Sequence, residues 1–260
     1  MPTVLQVHDL GISFGGLRAV DSLGFDVEEN QLFSVIGPNG AGKTTVFNII
    51  SGFYKPNTGS VLFRGTELIG KKPHAVTATG VGRTFQNLEL FGRLSVLQNL
   101  MVARHLSTRT DFWREIVFSR RTKNEEKAAR EASLSILKRL DLLHHADTAI
   151  NEFPFPVQKR VELGRALALE PKLLLLDEPA AGLNSVETAE LSDIIVRIRD
   201  EMGITIVLVE HDMSMVMKIS ERIVVLDHGQ KIAEGAPLEV RSNKAVIEAY
   251  LGKGSTHAIG

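Results

Sequence analysis

A chain of 260 residues, 43% hydrophobic and 23% charged, has material for one large domain or two small ones with an ample core. A formal net charge of −1 exerts no general pull on nucleic acid or anionic lipid, and a chain without cysteine builds neither disulfides nor thiolate metal sites, which suits a reducing compartment. MPTVLQVHDL lacks the basic and apolar regions of a signal peptide, and the longest apolar runs, 173–176 and 204–209, are strand-sized, so work at a membrane requires another chain as anchor.

From Val4 onward, apolar and polar residues alternate between the turn signals Gly15-Gly16 and Glu29-Asn30, which predicts a few β-strands. Phe14 stands in the first turn region. An aromatic ring there can stack on an adenine face, but by spacing alone Phe14 reads as core. The apolar run Leu32–Ile36 then enters GPNGAGKT, residues 37–44, a match to G-x-x-x-x-G-K-[ST] between a strand and the helix-like TTVFNII. Glycines at 37, 40 and 42 let successive N–H groups curl toward one hollow, and a helix starting near Lys43 adds the positive end of its dipole. The expected cradle for a nucleoside triphosphate is Gly37, Pro38, Asn39, Gly40, Ala41, Gly42, Lys43, Thr44 and Thr45. Lys43 would reach the β- and γ-phosphates, and the Thr44 hydroxyl would hold Mg²⁺.

The helix over 43–51 is expected to end at Gly52, and YKPNTGSVLFRGTEL to form a turn and a short hairpin. Gln86 follows the strand-like VGRTF. Its amide oxygen could sit on a metal and its NH₂ on water, or it could be a surface polar residue. Residues 104–127 mix arginines and lysines with Phe112, Trp113, Ile116, Val117 and Phe118, as a contact surface or a packed amphipathic helix would. Ala132, Ile136, Leu137, Leu140 and Leu143 recur at helical spacing. Residues 96–155 therefore read as an inserted helical subdomain. VQKRVELGRALAL is helical up to the break at Pro171. KLLLLDEP is a buried strand delivering Asp177 and Glu178 at its carboxyl edge, where ligands bind in doubly wound sheets. Asp177 is suited to hold Mg²⁺ through water, and Glu178 to polarise the attacking water. Leu191, Ile194, Ile195, Ile198 and Met202 mark a helix on the sheet. TIVLV is a further buried strand ending at Glu210-His211-Asp212, which sets His211 at the same kind of strand end as Asp177. RIVVLDHGQKIAEG closes as a hairpin through Gly229, a short helix follows near 243–250, and KGSTHAIG reads as a frayed end.

With the glycine loop, Gln86, LLLLDEP and VEHD in this order, the chain resembles the nucleotide-binding subunits of ABC transporters from about Leu5 to Leu251. FGGLRAV, TTVFNIISG, RTFQNLELF, the long insertion, DEPAAGLN and EGAPLEV are similar to the ATPase subunits of branched-chain amino acid importers. The resemblance implies an α/β P-loop NTPase fold in one domain, 1–260. Residues 1–95 and 156–251 would form a RecA-like core sheet with an N-terminal antiparallel β subdomain, and 96–155 the helical subdomain. It implies Phe14 as the adenine-stacking aromatic and Gln86 as the Q-loop residue linking Mg²⁺ to a membrane subunit. His211 becomes the switch histidine at the γ-phosphate, and Gly182, Leu183 and Asn184 form the D-loop, with Asn where most relatives carry Asp. One departure is larger. The signature, usually LSGGQ, should precede QKRVELGRAL, where this chain has Phe153-Pro154-Phe155-Pro156-Val157. Pro154 has no hydroxyl, and Pro156 has neither an N–H nor the freedom of glycine, although proline is accepted at a helix start.

The expected function is that of an ATP- and Mg²⁺-dependent motor subunit driving import of branched-chain or related amino acids. Its partners would be transmembrane permease subunits, a second related ATPase in a heterodimer and, indirectly, a solute-binding protein, at the inner face of the plasma membrane. The alternative is a regulatory or structural ABC subunit with low turnover, which FPFPV favours and Lys43, Glu178 and His211 oppose. A single compact cassette of neutral charge argues against a nucleic-acid partner, and no N-K-x-D-type motif points to guanine.

Overall fold

A computed structural model of the chain describes residues 2–84, 90–107 and 120–251. It opens with two long antiparallel strands, β1 (Thr3–Phe14) and β2 (Leu17–Glu28), paired from Thr3↔Glu28 to Phe14↔Leu17. The turn between them is Gly15-Gly16, both at positive φ. Asp9, at φ +47, interrupts the register, so that Leu10 rather than Asp9 follows Val7 into the core. After β3 (Leu32–Ile36) and α1 (Lys43–Ile50), β4 (Thr58–Phe63) returns to β1, and β5 (Thr66–Glu67) completes a sheet of order β2-β1-β4-β5. A short helix that periodicity does not announce, α2 (Pro73–Thr77), starts on a proline and leads to β6 (Val81–Arg83).

The helices α3 (Val96–Ser107) and α4 (Arg120–Arg139) follow, then α5 (Phe155–Leu167), β7 (Leu173–Asp177), α6 (Ser185–Met202), β8 (Thr205–Val209) and α7 (Met213–Ile219). The hairpin β9 (Arg222–Asp227) and β10 (Gln230–Gly235) closes the second sheet. Two short helices, α8 (Pro237–Ser242) and α9 (Lys244–Leu251), end the described chain where one had been expected. The segment 252–260, expected to fray, lies outside the described residues. The second sheet runs β10-β9-β3-β8-β7-β6 and is parallel except for β10.

β3, β7 and β8 are buried at every position, because helices or the first sheet cover both faces. Leu32, Leu174, Leu176, Ile206 and Leu208 point to one side, into a core shared with α3, α4, α5 and α6. Phe33, Val35, Leu173, Leu175, Val207 and Val209 point to the other, into a core shared with α1 and the antiparallel sheet. Leu143, expected on the apolar face of α4, is instead exposed, and Leu142 is buried. The cause is local: α4 stops at Arg139 and Asp141 turns the chain at φ +58, which resets the helical phase.

Candidate functional site

Sheet register gathers the candidate residues. Val35 pairs with Val209, and Val209 pairs with Asp177, so three neighbouring strands end at one level. β3 and β7 are two strand spacings apart, about 10 Å. The glycine loop leaves β3 at Gly37, where a Cβ would stand 2.1 Å from the Leu226 carbonyl oxygen. Gly42, at φ +103, begins α1 with no side-chain cap, and its own Cβ would stand 2.6 Å from Ala19 O. The first bond of the helix runs from Val46 N–H to Gly42 O, which leaves the N–H groups of Lys43, Thr44 and Thr45 without intrahelical partners. The loop rests on the β9–β10 turn, where Gly229 N–H donates to Ala41 O at 3.1 Å.

Lys43 is buried, and its Nζ donates to the carbonyls of Gly37 (2.7 Å) and Pro38 (3.1 Å). Desolvation holds its ammonium below the ordinary lysine range, against the charges of Glu178 and Asp177. Thr44 is exposed on the first turn of α1. The Asp177 side chain is 2% exposed. Its Oδ2 accepts from Arg83 Nη2 at 2.7 Å, while its Oδ1, also buried, has no hydrogen-bond partner among the described residues. Burial pushes this carboxyl above its ordinary value although the Arg83 bond and charge pull it down. Such an orphaned carboxylate oxygen suits a hard cation, and Mg²⁺ takes one or two carboxylates beside phosphate oxygens and water. Among the described residues no three His, Cys, Asp or Glu gather into an all-protein metal cage.

Glu178 follows at φ +48, its N–H on Val209 O at 2.8 Å. His211 is 59% exposed, with Nδ1 3.9 Å from Glu178 Oε2 and 3.6 Å from Glu210 Oε2. The fully buried Glu210 holds this corner together by accepting three backbone N–H groups, from Ala180 (2.8 Å), His211 (2.8 Å) and Asp212 (3.2 Å). Asn184 caps α6, its Oδ1 accepting from Val186 and Glu187 N–H, with Glu187 closing the capping box. Asparagine therefore does at 184 the local work that aspartate would do. α5 starts behind Pro154, which has no side-chain cap bond, and Val157 and Gln158 N–H both donate to the Pro154 carbonyl. The exposed Phe155 ring lies over Gly182, where a Cβ would meet it at 3.0 Å.

Phe14 is not core, as its spacing suggests, but 45% exposed, its ring edge-on to Tyr54 at 5.3 Å. It is the last residue of β1, beyond the reach of the packing that buries Ile12. Gln86, with Phe112 and Trp113, lies outside the described residues. Three residues that patterning passed over belong to the site's frame. Arg83 and Glu210 are charged groups buried in or beside strands, a signal that could have singled them out. Tyr250 on α9, 38% exposed, stands by the Gly37 backbone, and partial desolvation pushes its hydroxyl up to about 12. Nothing in the local sequence links residues so far apart.

A family model described as ABC transporter matches residues 20–181, and one described as branched-chain amino acid ATP-binding cassette transporter matches residues 230–255. The chain is 42% identical over 250 residues to the high-affinity branched-chain amino acid transport ATP-binding protein BraF of Pseudomonas aeruginosa, covering 96% of this chain and 98% of that one. Its fold is similar to the crystal structure of the ADP conformation of an ATP-binding cassette of an ABC transporter, with a TM-score of 0.85 at 30% identity, over 97% and 100% of the two chains. A dimeric cassette in a post-hydrolysis state, bound to ADP and Pi, superposes with a TM-score of 0.73 at 25% identity, over 90% and 98%.

Proposed function

The chain belongs to the ABC transporter family, and from that premise we propose that it is the ATP-hydrolysing subunit of an importer of branched-chain amino acids. The observation that carries the reading is the convergence of Lys43, Asp177 and Glu178 at the carboxyl edge of one sheet, beside a helix start whose Lys43, Thr44 and Thr45 N–H groups have no intrahelical partner. In this reading the N–H groups of Gly40 and of Gly42 to Thr45, with Pro38, Asn39 and Ala41 shaping the loop, receive the triphosphate, and Lys43 exchanges its two carbonyl partners for β- and γ-phosphate oxygens. Thr44 and the free Oδ1 of Asp177 would hold Mg²⁺, and Gln86 is proposed as a further ligand. Mg²⁺ held there would supply neutralisation of the charge that develops on the transferred phosphate. Glu178 polarises the attacking water, and His211 beside it meets the γ-phosphate. Phe14, braced by Tyr54, stacks on the adenine. Residues 96–155 form one helical subdomain inserted in the core of 1–95 and 156–251.

Among the described residues no helix is long and apolar enough to cross a membrane. We place the chain at the inner face of the plasma membrane on permease subunits fed by a solute-binding protein. The dimeric relative supports a pair of ATPases around two nucleotides. At the start of α5, two prolines replace donors that a partner's γ-phosphate would need, and the Val157 and Gln158 N–H groups turn back to Pro154. This favours a heterodimer with a related ATPase whose signature is intact. The site using this chain's Lys43 and Glu178 then turns over normally, and the one using its Phe153–Val157 slowly. Loss of one donor from a charge-stabilising site costs about 10²–10³ in rate. A regulatory subunit of low turnover is the second reading, on the same prolines.

The test is the ATPase rate of the purified chain, wild type and with Pro154→Ser, Phe155→Gly and Pro156→Gly together, alone and with its co-purifying ATPase. Slow wild-type turnover alone, raised by the triple change and by the partner, is expected. Vigorous hydrolysis by the wild-type chain alone would show that these contacts are dispensable and remove the case for asymmetry. No hydrolysis in any pairing would favour the regulatory reading.

A further inference from the structure

Arg83 ends β6, at the edge of the parallel sheet, yet its side chain is only 9% exposed. Its guanidinium forks between two elements. Nη2 donates to Asp177 Oδ2 on β7 at 2.7 Å. Nη1 donates to Asn48 Oδ1 on α1 at 2.8 Å and to Ser51 Oγ, just past that helix, at 3.3 Å. The plane is wedged among aromatic rings, its central carbon 5.7 Å from the Phe47 centroid and 5.9 Å from that of Phe53. The next residue repeats the tie: Thr84 N–H donates to Leu175 O at 3.0 Å, and its Oγ1 accepts from Asp177 N–H at 3.3 Å.

The consequence lies in what the fork leaves over. With Oδ2 anchored, the carboxylate of Asp177 cannot rotate freely, and the remaining Oδ1 is held in one direction. The same guanidinium grips α1, the helix that carries Thr44. We propose that Arg83 is a positioning residue that fixes Asp177 relative to Thr44, and so sets the spacing of the two protein groups that hold Mg²⁺ in the nucleotide site. This rests on the reading of that site given above. A lysine could not substitute, because a single ammonium on a flexible stem does not present two diverging N–H pairs from a rigid plane.

The experiment measures ATP affinity of the full chain across a Mg²⁺ titration and again in EDTA, for wild type, Arg83→Lys and Asn48→Ala. Thermal midpoints are recorded alongside. Partners that orient metal ligands typically account for about 10–100-fold in metal affinity. Arg83→Lys is expected to raise the Mg²⁺ concentration for half-effect about tenfold or more, with metal-free ATP affinity nearly unchanged. Asn48→Ala keeps the ion pair and loosens only the helix side, and it should move the half-effect in the same direction by less. An unchanged Mg²⁺ dependence in both variants overturns the proposal. So does an equal loss of affinity with and without Mg²⁺, which would make Arg83 merely structural. A wild-type affinity indifferent to Mg²⁺ would instead strike at the nucleotide-site reading itself.

Discussion

Exchange of Glu210 for glutamine tests how the site corner is held. The wild-type carboxylate serves two sides at once, with Oε1 on Ala180 N–H and Oε2 on the N–H groups of His211 and Asp212. Glutamine has one acceptor oxygen, so on whichever side the NH₂ group lands, a donor faces a donor. If the oxygen keeps the pair at 211 and 212, the Ala180 bond is lost, and with it the tie between the Glu178–Ala181 turn and the segment of His211. A hydrogen bond to a buried charged group is worth about 1.5–3 kcal/mol. For a chain of this size each kcal/mol moves the midpoint by about 2–4 °C, so scanning calorimetry should show Glu210→Gln melting about 3–12 °C lower. Phosphate-release assays of the assembled transporter should show reduced turnover in parallel. A midpoint equal to wild type would refute the reasoning, since it would mean that the N–H groups find other acceptors without cost.

Gly37→Ala should weaken ATP binding in a nucleotide titration, because its Cβ meets Leu226 O at 2.1 Å. Gly40→Ala meets nothing within 4 Å and should incur only the backbone strain of an L residue at positive φ, about 1–2 kcal/mol. Lys43→Ala should lose ATP affinity itself, through the missing charge-assisted contact, and a wild-type titration curve would contradict the assignment of the loop. Glu178→Gln should keep ATP binding and slow single-turnover hydrolysis by about 10²–10⁴. An unchanged rate removes Glu178 from the role of base.

What could be read ahead of the structure was whatever is encoded locally. GPNGAGKT and LLLLDEP each carry their strand, their turn and their chemistry within a dozen residues, so their meeting at one sheet edge follows from the parallel fold. Phe14 misled because a strand-end position decides its exposure, and spacing does not reveal where a strand ends. Leu143 misled for a related reason, the single left-handed residue Asp141 that breaks the helical count. The charge of Arg83 inside a strand could be noticed, but its partner Asp177 could not be foreseen, nor could the nearness of Tyr250 to Gly37, since these residues are distant in the chain. The prolines at 154 and 156 were read correctly as a helix start, but the return of the Val157 and Gln158 N–H groups to Pro154 needed coordinates.

The strand order has a consequence for the newly made chain. β3, which delivers the phosphate loop, is flanked by β8 and β9, so the loop made near the beginning waits for strands made near the end. At about 5–20 residues per second on the ribosome, the wait lasts about 10–40 s. Through that interval LFSVI, buried at every position in the folded chain, has neither neighbour. An unpaired apolar strand is a template for wrong pairing. The antiparallel hairpin of β1 and β2, by contrast, closes on itself as soon as it emerges and can shelter Phe33 and Val35 on its own side of the core. A nascent chain stalled before β9 would thus present a folded β subdomain with no working nucleotide pocket, a natural target for chaperone capture.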